Sequence, residues 1–217
     1  MQKAEVLEGL RRGGLIPVLR APSAKDALAI SEVLCKAGLT ALEITMTVPG
    51  AVDVIRELVG RFGKDLLVGA GTVLDAKAAA ACIDAGAQFI ISPSTELEVI
   101  AHCNQAGVAV MPGALTPTEI VKAWRAGADM VKVFPCSAVG GASYLKAVKA
   151  PLPHIEMVPT GGVSLETAAA FIKAGAAALG VGGDLVDVEA VRAGRGEEIA
   201  QKARRYLEIV KEARAAK

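Results

Sequence analysis

Two ionisable side chains stand inside runs that are otherwise apolar: Lys132 in Asp129-Met-Val-Lys-Val-Phe134, and Glu43 in Thr40-Ala-Leu-Glu-Ile-Thr45. The lysine run is short and partly β-branched, with an Ala-Gly turn before it and a proline after it, which reads as a buried parallel strand. Lysine is almost never buried without a partner or a purpose, because taking an ammonium out of water is costly. Taken alone, Lys132 reads as a packed stem whose head snorkels to solvent. A lysine and a carboxylate on two strands facing one cavity suit Schiff-base chemistry instead, with the amine activated by desolvation and the carboxylate moving protons. The competing reading is a buried ion pair, which contributes little to stability and is often replaceable by hydrophobes.

What must position these residues is announced by glycine. An Ala-Gly pair recurs at Ala37-Gly38, Ala85-Gly86, Ala106-Gly107, Ala126-Gly127 and Ala174-Gly175, and the glycines are 48, 21, 20 and 48 residues apart. Steps near twenty or twice that describe one repeating unit in which a helix ends on a left-handed glycine and a short strand follows. The strands are expected at 40–45, 88–92, 108–111, 129–134 and 177–181, with 66–69 and 155–158 filling the longer steps and 15–20 in front. Helix starts carry caps at Ser23 with Asp26, Asp75, Thr95 with Glu98, Thr116 with Pro117 and Glu119, and Ser164. Eight βα units in 217 residues predict an α/β chain of one domain, a (β/α)8 TIM barrel with an added N-terminal helix and C-terminal helix. A doubly wound open sheet is the alternative. Gly69-Ala-Gly71-Thr-Val-Leu74 and Gly180-Val-Gly182-Gly-Asp-Leu185 both lack the third glycine of its nucleotide fingerprint.

A barrel of this kind works at the C-terminal ends of its strands. There the chain offers Arg20, Glu43, Gly69-Ala-Gly-Thr72, Ser92-Pro93, Met111-Pro-Gly113, Lys132 with Phe134, Thr160-Gly161-Gly162 and Gly182-Gly183. The two double-glycine loops follow the seventh and eighth strands, where backbone N–H groups and a helix start can cradle a phosphate. Asp184 is an objection to that cradle unless its carboxylate faces away.

Composition narrows the partners. Net charge is +1 with both signs interspersed, so nothing draws in a nucleic acid. Mean hydropathy is +0.44, yet the longest apolar stretch is the ten residues 174–183, far short of a membrane span. The segment 1–12 is an amphipathic helix without the apolar core of a secretory signal, so a cytoplasmic location is expected. Cys35, Cys82, Cys103 and Cys136 with only two histidines form neither a zinc pattern nor a disulfide scaffold. Cys136 follows the lysine strand, although a free cysteine reads first as a small core residue.

Six strings occur in order: Glu43-Ile-Thr45, Gly69-Ala-Gly-Thr-Val73, Ile91-Ser-Pro93, Met111-Pro-Gly113, Lys132-Val-Phe-Pro135 and Pro159-Thr-Gly-Gly-Val163. Together, over nearly the whole chain, they resemble the 2-keto-3-deoxy-6-phosphogluconate (KDPG) aldolase family, which is also known for 4-hydroxy-2-oxoglutarate aldolase activity. The resemblance implies a class I aldolase, metal-free, without a cofactor and homotrimeric, acting on a small keto-acid phosphate. It implies Lys132 as the imine-forming lysine and Glu43 as general acid/base. Thr72, Pro93 and Phe134 would shape the pyruvate pocket, Thr160 would meet the hydroxylated part of the substrate, and Gly161, Gly162, Gly182 and Gly183 would hold the phosphate. Two positions depart. Met46 and Thr47 stand where some members carry an arginine, which makes Arg20 the candidate for the substrate carboxylate; Gly183 stands where a serine is common. The family's galactonate-specific members tend to be apolar at the position of Thr160, which favours the gluconate epimer. A phosphate-binding isomerase or epimerase and a non-catalytic assembly module are the other readings.

Overall fold

The structure, a computed structural model, describes residues 1–216. Strands and helices alternate: α1 (Lys3–Gly13), β1 (Leu15–Leu19), α2 (Ala24–Lys36), β2 (Ala41–Thr45), α3 (Ala51–Phe62), β3 (Leu67–Gly71), α4 (Ala76–Asp84), β4 (Phe89–Ile91), α5 (Leu97–Ala106), β5 (Ala109–Met111) and β6 (Gly113–Ala114). They continue as α6 (Pro117–Arg125), β7 (Val131–Val133), a 3₁₀ turn over Cys136–Val139, α7 (Ala142–Lys149), β8 (Met157–Pro159), α8 (Ala168–Lys173), β9 (Leu179–Val181), α9 (Val188–Arg192) and α10 (Gly196–Ala215). All pairings are parallel. One sheet runs in the order β5-β4-β3-β2-β1-β9 and a second in the order β6-β7-β8.

The expected fifth strand is divided. Pro112 has no N–H to donate, so β5 pairs with β4 while β6, one residue further on, pairs with β7. Hydrogen bonds nonetheless cross this seam, from Asp129 N–H to the Val110 carbonyl (3.1 Å) and from Lys132 N–H to the Pro112 carbonyl (2.9 Å). At the other seam Ala177 N–H donates to Met157 (2.9 Å), and Thr160 bridges Gly180 in parallel register. The run expected as strand over 129–134 shortens to Val131–Val133 because the Asp129 carboxylate accepts from Val110 N–H and pairs with Lys3.

The glycine repeat is borne out: Gly38, Gly86, Gly107, Gly127 and Gly175 have φ of +94, +99, +67, +99 and +102°, the left-handed region that costs other residues roughly 1–2 kcal/mol. Ser23, Asp75 and Thr116 cap their helices as expected, the last with Glu119 in a reciprocal box. Thr95 does not. Its hydroxyl donates to the Gly113 carbonyl at 2.8 Å, and the cap of α5 moves to Glu96. Ser164 opens a turn just before α8, whose cap is Thr167.

The core has two parts. An outer cluster joins the helices to the outward faces of the strands. An inner cluster contains Ile16, Ala41, Leu67, Phe89, Met111, Met130 and Val158, and α1 closes it with Val6 and Leu10. Phe89 fills the centre because Gly69 leaves room: an alanine Cβ there would lie 2.1 Å from its ring. At the other end of the chain, α10 packs on α2 and α8 and buries Ala203, Tyr206, Ile209 and Val210. Among the described residues no helix is long and apolar enough to cross a membrane.

Candidate active site

β2 and β7 carry the two charged residues into the interior. Glu43 lies in register with Val18 of β1 and Gly69 of β3, and Lys132 lies between Gly113 and Val158. The Lys132 Nζ is 3.6 Å from Glu43 Oε1, with side-chain exposures of 4% and 2%. Glu43 Oε1 has no hydrogen-bond partner among the described residues. An unspent acceptor this deeply buried costs free energy, roughly 1–3 kcal/mol or more for a charged group. That cost is a reason to regard the pair as a site rather than as a structural bridge. The Nζ also stands 5.3 Å from the centre of the Phe134 ring, whose face favours a cation.

The carboxylate can lie here because β3 ends in glycine. A Cβ on Gly71 would fall 1.9 Å from Glu43 Oε1 and 2.5 Å from its Cδ. The sequence marks this position only as a second glycine inside a strand, which signals a close approach without naming its partner. Thr45, two residues on from Glu43, is wholly buried and donates its hydroxyl to the Leu19 carbonyl at 3.0 Å, tying β2 to β1.

A cavity of about 360 Å³ is lined by Arg20, Phe134, Thr160, Gly161, Gly162, Ser164, Gly180, Gly182, Gly183 and Asp184 with Val18 and Val163. The structure thus brings together seven of the candidate site residues named from sequence, and Phe134 links this lining to Lys132. Thr72 and Pro93 follow β3 and β4 and are not part of this lining, nor are Lys132 and Glu43. Thr72 has φ +59°, a strained conformation for a β-branched residue, of a kind that concentrates at functional positions. Pro93 packs its carbonyl against Gly113, where a Cβ would come within 2.1 Å.

The glycine loops form one wall. Gly161 and Gly162 have φ of +90 and +74°, and Gly183 has open space where a Cβ would point. Thr160 is 7% exposed, its side chain lying over Gly180. Arg20 Nη1 lies 4.0 Å from the position of a Cβ on Gly182, so the guanidinium faces the glycine wall. The Asp184 carboxylate is held by the Tyr206 hydroxyl and by Lys202 Nζ at 3.1 Å. Ser164, the helix start that follows the glycine loop after β8, joins the lining.

Cys136 lies beside this region but is wholly buried, with its thiol 3.5 Å from the Gly141 carbonyl. Burial pushes that thiol up to about 11, so it stays protonated and unreactive. Among the described residues no group of three His, Cys, Asp or Glu side chains is arranged to hold a metal ion.

Residues 6–202 match the aldolase family described as KDPG and KHG aldolase. The chain is 39% identical to the 2-dehydro-3-deoxy-6-phosphogalactonate aldolase of Escherichia coli over 92% of its length and 95% of that protein. It is 33% identical to the 2-dehydro-3-deoxy-phosphogluconate aldolase of Treponema pallidum, over 94% of this chain and 97% of the relative. Its fold superposes with a TM-score of 0.82 on the KDPG aldolase of Legionella pneumophila, solved with pyruvate captured as a covalent carbinolamine. That chain is 28% identical, with 94% of this chain and 97% of that one covered.

Proposed function

Since the chain belongs to the KDPG and KHG aldolase family, we propose that it is a class I aldolase that cleaves KDPG to pyruvate and glyceraldehyde 3-phosphate, and 4-hydroxy-2-oxoglutarate to pyruvate and glyoxylate. One observation carries this reading: a buried amine 3.6 Å from a buried carboxylate whose nearer oxygen accepts no hydrogen bond.

The Lys132 ammonium gives a proton to Glu43 and the amine so freed attacks the C2 ketone; as the carbinolamine forms, a second proton moves from the nitrogen to its oxygen. Glu43 returns a proton to the departing hydroxyl, water leaves, and a protonated imine remains as electron sink. Glu43 next takes the proton of the C4 hydroxyl; the C3–C4 bond breaks, its electrons flow into the imine, and the aldehyde departs. The enamine left behind is protonated at C3, and water releases pyruvate from the lysine. Phe134 borders the pyruvate end, and Thr72 and Pro93 complete its walls. Thr160 meets the hydroxylated middle. Gly161, Gly162, Gly182 and Gly183 donate backbone N–H groups to the phosphate, and the orientation of Arg20 toward that wall favours the phosphate over the carboxylate as its anion.

The same reading carries a single domain over 1–217, two sheets closed into one (β/α)8 barrel, and a homotrimer in the cytoplasm. Hydrogen bonds across both seams support the closure. Light scattering tests the trimer. The mechanism is tested by adding borohydride to the protein with pyruvate: the peptide holding Lys132 gains a reduced adduct, and Lys132→Met abolishes it. An intact mass unchanged by this treatment refutes the imine, as an isomerase or an assembly module would require. Turnover of KDPG against its galactonate epimer decides the second reading, which the 39% identity to the phosphogalactonate enzyme favours and Thr160 opposes.

A further inference from the structure

Asp184 is a carboxylate set among the residues that line the anion end of the cavity. Left to turn inward, it would repel the phosphate that the glycine loops are proposed to hold. Two residues of α10 hold it instead. The hydroxyl of Tyr206 donates to Asp184 Oδ2, and Lys202 Nζ pairs with the same oxygen at 3.1 Å. Tyr206 is wholly buried, and its oxygen also lies 3.5 Å from the Val163 carbonyl, in the loop after β8. One phenol thus touches both loops of the cradle, the one after β8 through Val163 and the one after β9 through Asp184. Its burial, and then its contact with the carboxylate, push the phenol above its usual range, so it stays a donor. Gly183, next in the chain to Asp184, has nothing within 4 Å of where a side chain would point. The side chains that hold the aspartate, Tyr206 and Lys202, both lie on α10.

We propose that Tyr206 is a positioning residue for the phosphate end of the site. It turns the Asp184 carboxylate out of the anion cradle, Lys202 offsets its charge, and preference for phosphorylated over unphosphorylated substrates depends on this latch from the last helix. The proposal rests on the aldolase reading for its substrates, but phosphate binding tests it independently.

Tyr206→Phe keeps the ring in the core and deletes only the donor. KM for KDPG should rise about tenfold, the worth of one hydrogen bond to a charged group, while kcat and the KM for unphosphorylated 2-keto-3-deoxygluconate hold. Calorimetric titration with inorganic phosphate should weaken by a similar factor. Adding Asp184→Asn to Tyr206→Phe removes the charge that the latch restrains and should restore both values. Lys202→Met should weaken phosphate in the same direction. The latch is refuted if Tyr206→Phe shifts both substrates alike, if phosphate affinity is unchanged, or if the double variant fails to recover. Wild-type protein that turns over no 2-keto-3-deoxy acid would refute the aldolase reading instead, and the phosphate titration of wild type and the three variants would still decide the latch.

Discussion

Replacing Gly71 with alanine tests the geometry of the site more sharply than deleting either charged residue, because it changes no charge and removes no reactive group. Gly71 ends β3 with a backbone that alanine can adopt, and a free site of this kind would gain about 0.4–1 kcal/mol from the substitution. The added Cβ, however, would lie 1.9 Å from Glu43 Oε1 and 2.6 Å from its Cγ. A carbon and an oxygen in contact stay roughly 3.3 Å apart, so the carboxylate must retreat by about 1.4 Å. A displacement of that size in a proton-transfer group is worth on the order of a hundredfold in rate. Overpacking itself costs about 1–3 kcal/mol, or roughly 2–12 °C in Tm for a chain of this length. The expected outcome is a folded protein whose kcat for KDPG, followed by pyruvate release, falls about a hundredfold. Gly60→Ala is the control: it lies inside α3 with nothing within 4 Å, and should raise stability by about 0.5–1 kcal/mol with kcat unchanged. A folded Gly71→Ala enzyme with kcat within about threefold of wild type would refute the argument that Glu43 works from the position it holds beside β3.

Lys132→Met leaves Glu43 as a buried charge without its partner and should cost about 3–5 kcal/mol in denaturant unfolding; the double variant with Glu43→Leu should recover most of that loss. A single variant as stable as wild type would count against a charged pair. Cys82, Cys103 and Cys136 are pushed up by burial to about 11, 12 and 11, so iodoacetamide at neutral pH should leave all three unmodified in the folded protein and label them in denaturant; rapid native labelling would contradict their burial. Asp26 is held down at about 2, first by the hydrogen bond from Arg192 and then by Ser23. Because the folded value lies below the unfolded one, the contribution is complete above the unfolded range near 4 and fades as pH falls through about 2. Arg192→Ala should return the Asp26 carboxyl toward its ordinary range in an NMR titration, and an unmoved titration would break that assignment.

Much of this architecture was legible in the chain because its signals are local. The repeat glycines end helices wherever they occur, and a lysine or glutamate inside an apolar strand stands out against its own neighbours. What escaped depends on partners distant in sequence. Thr95 has the chemistry of a cap, but a carbonyl of β6 takes its hydroxyl. Pro112 was plainly unable to donate, yet only the registers on either side reveal that the strand divides there. Gly71 stands out only as a second glycine in its strand, and it is the space that Glu43 fills. Tyr206 lies in the added C-terminal helix, and nothing near it in the sequence points to Asp184.

The inner cluster that α1 closes with Val6 and Leu10 has a consequence for the lysine. It is the dielectric floor of the reaction chamber. Were α1 absent, water could rise between the strands from the side away from substrate and hydrate the amine, restoring the solvation that the chemistry requires it to lack. The first thirteen residues hold none of the site residues, yet in the proposed mechanism they keep water from Lys132, so a fusion or trim at this end has to be judged by its effect on rate as well as on folding.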